Sequence, residues 1–162
     1  MQIIITSRNA ETLRTWRRFF ENDPDVDLQV GNRAQVPVDA VLMAGIFAHE
    51  RYGGSPSHDS AEILVNRRGD GQPPLVIVPP GRRMRLDEHG RPQVHPDHAA
   101  IDPAYHTASH VFDAIHQWNE TRQETISAIE VSLPLVGFDD PLDESSPQAF
   151  RRALTEYRAK LR

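Results

Sequence analysis

The stretch that most constrains the fold is residues 38–45, an apolar run that ends in a glycine. The run is too short for a typical helix and predicts a strand buried on both faces of a sheet. Gly45 lets the backbone turn tightly where the strand ends. A pair of glycines, Gly53-Gly54, follows eight residues later. Because α/β folds form their ligand crevices at such strand ends, we expect a binding crevice here.

Predicted strands and helices alternate along the chain without an internal repeat. Asn9 is expected to cap a first helix, whose buried stripe is Leu13, Trp16 and Phe20. Residues 45–67 are predicted to be mostly loop, with room for a short helix. This alternation predicts an α/β fold, a three-layer α/β/α sandwich with a mixed, mostly parallel central sheet. Strands are predicted at residues 2–6, 26–30, 38–43, 75–78 and 126–135, and further helices at 104–122 and from 146.

Length and composition favour a single domain over residues 1–162. With 162 residues and 38% hydrophobic content, the chain is long enough for one core and too short for two. Residues 81–103 are rich in Gly, Pro, His and Asp. The sequence on both sides of a turn at 87–90 shows the alternation typical of strands, so this segment is expected to form a flap or hairpin insertion.

Charge and cysteine content narrow the function classes. The net charge of -5 disfavours nucleic-acid binding, which normally needs a basic surface. Since the chain has no cysteine, thiol nucleophiles and thiolate metal sites are excluded. The longest apolar run, residues 40–48, is too short to span a bilayer. The expectation is therefore a cytoplasmic protein with no membrane association.

Polar side chains that could do acid–base chemistry gather after the apolar run. His49, Glu50 and Asp59 are the candidate catalytic residues, with Tyr52 and His58 nearby. No catalytic role is assigned to them from the sequence, because loop residues of these types are usually only solvated.

Arginines in the predicted flap could neutralise a phosphate, since arginine pairs bidentately with phosphate oxygens. Replacing Arg83 and Arg85 by alanine is therefore predicted to weaken binding of a nucleotide-type ligand.

Two histidines one helical turn apart suggest metal binding as an alternative to ligand binding in the crevice. At about 100° per residue, His106, His110 and Asp113 are expected to lie opposite the apolar stripe of their helix, on the solvent side. A zinc site needs three or four ligands. We therefore expect no metal site and no cofactor.

The order of several weak motifs resembles the macro domain family, and more narrowly a bacterial and phage branch of it. The resemblance rests on residues 16–20, residues 24–32, residues 38–41 and the Gly53-Gly54 pair. It continues through Met84-Arg85, Tyr105, residues 134–137 and Tyr157 in the family's order. It implies a mixed sheet between helices and binding of ADP-ribose or a relative by two loops, 45–55 and 134–140. Some members of the family hydrolyse ADP-ribose linkages.

The resemblance also implies the ligand-binding positions. Asn32 stands where the family commonly has an aspartate for the adenine amino group, and residues 42–46 lack the family's ribose-contacting asparagine. The sequence Gly137-Phe138-Asp139 replaces a Gly-Thr-Gly loop, which places a carboxylate beside the expected diphosphate. The implied ligand-binding residues are Asn32, Gly45, Gly53, Gly54, Ser55, Val136, Gly137 and Phe138.

Three hypotheses for the function remain open at this point. The first is a macro-like module that binds a nucleotide-derived small molecule such as ADP-ribose. The second is a hydrolase of ADP-ribose-type linkages. The third is a degenerate macro fold that binds a protein partner through the flap or through the helix that carries His106.

Overall fold

The computed structural model describes residues 1–134 and 143–162, and these residues form eight strands and five helices. The strands are β1 (Gln2–Ser7), β2 (Val26–Val30), β3 (Ala40–Leu42), β4 (Glu62–Val65), β5 (Leu75–Val78), β6 (Met84–Leu86), β7 (Pro92–Val94) and β8 (Ala128–Leu133). The helices are α1 (Ala10–Phe20), α2 (Gly45–Tyr52), α3 (Pro96–Ala99), α4 (Pro103–Thr121) and α5 (Ser145–Lys160).

Six of the described strands form the central sheet, in the order β2-β1-β8-β3-β5-β4. All neighbours are parallel except β4, which runs antiparallel to β5. The prediction of an α/β fold with a mixed, mostly parallel sheet is confirmed. β8 lies between β1 and β3. Because β2, β1, β8, β3 and β5 all run in the same direction, their carboxyl ends lie at one edge of the sheet.

Helices pack on both faces of this sheet. Residues of α1, α4 and α5 share one buried cluster with Ile3, Ile77 and Ile129 of the strands. On the other face, Ala48 of α2 packs with Val76 and Val78. Side chains alternate between the two faces along a strand, so the arrangement is compatible with a three-layer sandwich.

The first helix forms as its sequence predicts. The Asn9 side chain accepts hydrogen bonds from the backbone N–H groups of Glu11 and Thr12, which satisfies donors that the helix itself leaves free. Its stripe of Leu13, Trp16 and Phe20 is buried, and the Trp16 ring meets Phe150 of α5 edge-on at 5.5 Å between centroids.

The segment between the predicted strands differs from the expectation. Residues 45–52 form helix α2, the short helix for which the prediction left room, whereas residues 62–65 form an edge strand that the sequence pattern did not indicate. Ala48 is the buried residue of α2, so the helix lacks the wide apolar stripe by which amphipathic helices are predicted. β4 has only four residues, too few to show a clear alternation.

The insertion at 81–103 contains the expected hairpin. Met84 pairs with Val94 and Leu86 with Pro92, and Gly90 adopts a φ of 73° in the turn between them. The short helix α3 follows and leads into α4. None of the described helices has the length and apolar character that a membrane crossing requires.

Candidate functional site

A cavity of 390 Å³ opens at the carboxyl edge of the sheet, where β3 and β5 end. The residues that follow these two strands, Ala44-Gly45 and Pro79-Pro80, form part of its wall. Residues 56–58, the start of the flap and the start of α4 also line it, together with further residues of α2. The predicted crevice after residues 38–45 is therefore present as a cavity.

The first turn of α2 forms one wall of this cavity. Gly45 and Ile46 line it, and the residue before them, Ala44, provides no side-chain cap for the helix. The N–H of Phe47 donates to the Ala44 carbonyl at 3.0 Å, whereas those of Gly45 and Ile46, at the start of the helix, have no intrahelical acceptor. They give the wall a partial positive charge.

His49 lines the cavity one turn further along α2. Its Nδ1 lies 3.0 Å from the carbonyl oxygen of Gly53. Since a carbonyl only accepts, Nδ1 donates, and Nε2 of the neutral ring is an acceptor. The Glu62 carboxylate lies 4.0 Å behind Nδ1. A Cβ at position 45 would lie 3.3 Å from Cδ2 of this ring, so Gly45 leaves space for the imidazole.

His58 lies on another wall of the same cavity and is held in the same way. Its Nδ1 lies 3.2 Å from the carbonyl oxygen of Gly81, and the N–H of Gly81 donates to the carbonyl of Ser57 at 2.8 Å. These two hydrogen bonds fix residues 57–58 to the start of the flap. Nε2 of His58 makes no hydrogen bond within the described residues.

Arg82 is the cationic residue of the described cavity lining, and none of the described lining residues is acidic. Its guanidinium group donates to the carbonyl oxygens of His98 and Ile101, which end helix α3. The Nε atom of Arg82 is buried without a hydrogen-bond partner in the described residues. Arg82 thus holds α3 against the cavity wall while it adds positive charge there.

Near Arg82, three imidazoles are in contact where α3 meets α4, with their rings inclined by 50° and 73°. The ring of His106 lies 5.0 Å from His98 and 4.7 Å from His110 between centroids. The prediction that His106 faces solvent is wrong, since only 6% of this residue is exposed. The helical wheel identifies a face opposite the apolar stripe, but α3 covers that face.

Burial sets the charge state of His106. Desolvation, with further contributions from His110, His98 and Arg82, lowers the pKa of His106 to about 4. Desolvation also lowers the pKa of His110. His106 is therefore neutral at pH 7, and its Nε2 is buried without a partner in the described part of the chain.

The predicted ligand-binding residues fall into four groups. Gly45 lines the cavity. Gly53, Gly54 and Ser55 lie beyond the C-terminal end of α2, away from the described lining. Asn32 is exposed just after β2, at the same sheet edge but separated from β3 by β1 and β8. Val136, Gly137 and Phe138, with the rest of the loop after Pro134, lie outside the described residues.

The candidate catalytic residues do not all meet at the cavity. His49 lines it, but Glu50 lies on a separate surface with Phe47 and Arg68. Asp59 accepts hydrogen bonds from Arg83 at 3.0 and 3.1 Å and does not belong to the described lining. Tyr52 donates to Asp70 at 2.6 Å. The structure therefore brings His49 together with His58.

The other two flap arginines considered, Arg83 and Arg85, are placed differently from Arg82. Arg83 pairs with Asp59, and Arg85 is exposed on β6. Arg82 was among the flap arginines expected to neutralise a phosphate, whereas sequence reasoning missed Thr107 as a lining residue. The proline pair directly after β5 was the available signal, because prolines cannot continue the strand ladder and so mark the point where the chain leaves the sheet beside the cavity.

In the described ranges, 1–134 and 143–162, no group of three or more His, Asp or Glu side chains is arranged to hold a metal ion. No protein-family model matches this chain. No curated protein sequence matches it either.

Proposed function

We propose that the chain binds a nucleotide-derived small molecule, ADP-ribose or a relative, in the cavity at the carboxyl edge of β3 and β5. The observation that carries the proposal is this cavity of 390 Å³ between Arg82 and the first turn of α2. Small-molecule pockets typically have volumes of about 300 to 1,000 Å³ and often lie at the carboxyl ends of parallel strands.

The character of the lining supports a ligand with an apolar body and an anionic group. Ala44, Ile46 and four prolines supply the apolar wall. Arg82 and the uncapped helix turn supply positive charge, which suits a phosphate. The bases of a nucleotide offer flat apolar surface, and its phosphates offer negative charge, so a nucleotide derivative matches both parts.

The topology supports a contribution from the loop after β8. β8 lies beside β3, with Val131 opposite Leu42 in register, and it ends at Leu133 on the same sheet edge. The two loops that the resemblance implies, 45–55 and 134–140, therefore start from neighbouring strands. This is the order of elements expected if the chain is a macro-like domain.

Two neighbouring exposed residues of α2 offer a matched test. Ile46 lines the cavity and Phe47 does not, although they are 78% and 62% exposed. Ile46→Asp should weaken binding of ADP-ribose at least tenfold in calorimetry, because a carboxylate at the cavity wall repels a diphosphate. Phe47→Asp should bind like the wild type, and both variants should remain folded. Equal affinities for Ile46→Asp and the wild type would contradict the proposal.

The exposed hairpin favours a second candidate function, that of a protein-interaction module. Met84 and Leu86 lie on one face of β6 and are 55% and 69% exposed, opposite Val94 and Pro92 on β7. A two-stranded sheet with such a face is marginally stable by itself. If no adenine nucleotide, NAD or ADP-ribose raises the melting temperature, this candidate replaces small-molecule binding.

A further inference from the structure

We infer that the cavity is a hydrolytic site in which His49 is the general base and His58 the general acid, and that its substrate is a phosphoester of the bound ligand. The inference rests on the proposed binding function and goes beyond it by assigning a reaction. Its basis is that two imidazoles on separate walls of one cavity are both fixed through Nδ1 to a glycine carbonyl.

The same tautomer follows for both rings. Because each Nδ1 donates to a backbone carbonyl, Nε2 is the nitrogen that remains for proton exchange in each case. Nε2 of His49 lies on the Gly45 side of its ring, 3.4 Å from the position of a Cβ at residue 45. Gly45 itself lines the cavity, so this nitrogen stands next to the free N–H groups of the α2 turn.

The surroundings of the two rings differ, and the difference assigns their roles. Glu62 lies 4.0 Å from Nδ1 of His49, where its carboxylate stabilises the imidazolium that forms when His49 takes up a proton. In hydrolytic triads the carboxylate accepts the Nδ1 proton directly, whereas here the Gly53 carbonyl accepts it at 3.0 Å and Glu62 acts only through its charge. His58 lies at the flap side of the cavity, close in sequence to Arg83-paired Asp59, and is left to protonate the leaving group.

The step is balanced with water as the co-reactant. The water oxygen forms a bond to phosphorus while its proton moves to Nε2 of His49. The bond from phosphorus to the leaving oxygen breaks, and that oxygen takes the proton from Nε2 of the His58 imidazolium. The α2 turn and Arg82 stabilise the charge on the phosphoryl oxygens. The proton on His49 returns to His58 through solvent, which restores the starting state without any oxidation or reduction.

Ser57 is not a competing nucleophile, although it lines the cavity. Its Oγ accepts hydrogen bonds from the backbone N–H groups of Asp59 and Ser60, both at 3.2 Å. A hydroxyl whose lone pairs hold a turn in place serves the loop conformation. The two histidines are therefore the described lining residues that can exchange a proton with the substrate.

Two esters of adenosine 5′-monophosphate separate the two roles. Phenolate leaves poorly and needs a proton, whereas 4-nitrophenolate leaves without one. His58→Ala should reduce hydrolysis of the phenyl ester about 10²- to 10⁴-fold and that of the 4-nitrophenyl ester less than about tenfold. His49→Ala should reduce both esters about 10²- to 10⁴-fold, since both need an activated water. His49→Gln and His58→Gln repeat the test if an alanine variant unfolds.

The control is His116→Ala, because His116 lies on α4 next to Glu120 and outside the described cavity lining; it should hydrolyse both esters like the wild type. Wild-type protein that binds ADP-ribose in calorimetry but hydrolyses neither ester would overturn the inference and leave the binding function standing. Absence of both binding and hydrolysis would overturn both. Equal losses on the two esters in His58→Ala would overturn its assignment as the acid.

Discussion

Among single residues, His106 is the one whose chemistry is changed most by the fold. α3 places His98 against one side of its ring, and His110 lies against another. Arg82 adds a positive charge nearby, so a proton on His106 is opposed by burial and by its neighbours. The neutral ring is compatible with a well-packed α3, while the charged ring is not.

The stability of the protein should therefore fall as the pH is lowered from 6.5 towards 4. Over that range the unfolded chain takes up a proton on His106 and the folded chain does not. With a folded pKa of about 4 against 6.5, the loss reaches at most roughly 3 kcal/mol near pH 4. Above pH 6.5 both states are neutral, and this residue adds no pH dependence. Urea denaturation at pH 7.5 and at pH 5 measures the slope.

His106→Gln should flatten this slope, whereas His116→Gln should leave it as in the wild type, because His116 is on the outer side of α4 beside Glu120. His110 contributes a slope of the same sign, since burial lowers its pKa as well. An unchanged slope in His106→Gln would show that the pKa of this ring is the same in the folded and the unfolded protein.

At the scale of elements, the connection from α2 to β4 depends on close packing at one glycine. Gly53 and Gly54 both adopt a φ of 82°, a conformation that other residues rarely adopt. A Cβ at Gly54 would lie 2.6 Å from the Glu62 carboxylate and 2.7 Å from Leu64, whereas a Cβ at Gly53 would meet no atom within 4 Å. Gly54 thus sets how closely the turn approaches β4.

Alanine at these two positions should separate backbone strain from steric overlap. Gly53→Ala should lower the free energy of unfolding by about 1 to 3 kcal/mol, because φ 82° and ψ -151° lie in a region that is essentially restricted to glycine. Gly54→Ala should cost more, because the overlap with Leu64 adds to the strain of its positive φ. Equal midpoints in urea denaturation for the two variants would contradict this packing.

The elements that the sequence predicts well are those with a strong local signal. Asn9, the stripe of α1 and the buried run of β5 each contain a cap or a repeat that identifies the element. β4 was missed and the bounds of the short helix α2 were not predicted, because the stability of both elements comes from tertiary packing, with Ala48 as the buried residue of α2. Local pattern alone does not contain that information.

For the site, the sequence predicted where a crevice opens but not which side chains line it. Gly45 and His49 were identified because they follow the apolar run. Arg82 and Thr107 come from distant segments, and only the order of strands brings them to β3 and β5. The burial of His106 likewise depends on α3, whose docking no periodicity of α4 reveals.

At the scale of the whole molecule, the sheet order places the cavity. The five strands β2, β1, β8, β3 and β5 are parallel, so their carboxyl ends lie at one edge of the sheet, and the antiparallel β4 is the edge strand beyond β5. α2 and the start of α4 both line the cavity at that edge. An acidic chain with a net charge of -5 thereby presents a locally positive cavity, because Arg82 and the α2 turn are concentrated there.

The most direct measurement is a titration of isotope-labelled protein with ADP-ribose, followed by the backbone amide signals in NMR. Ligand binding in the cavity predicts that the largest shifts occur at Gly45, Ile46, His58, Arg82 and Thr107. The amides of α1 and of the β6–β7 hairpin should remain unchanged at saturation. Shifts confined to those distant elements, or no shifts at millimolar ADP-ribose, would contradict the assignment of this cavity as the binding site.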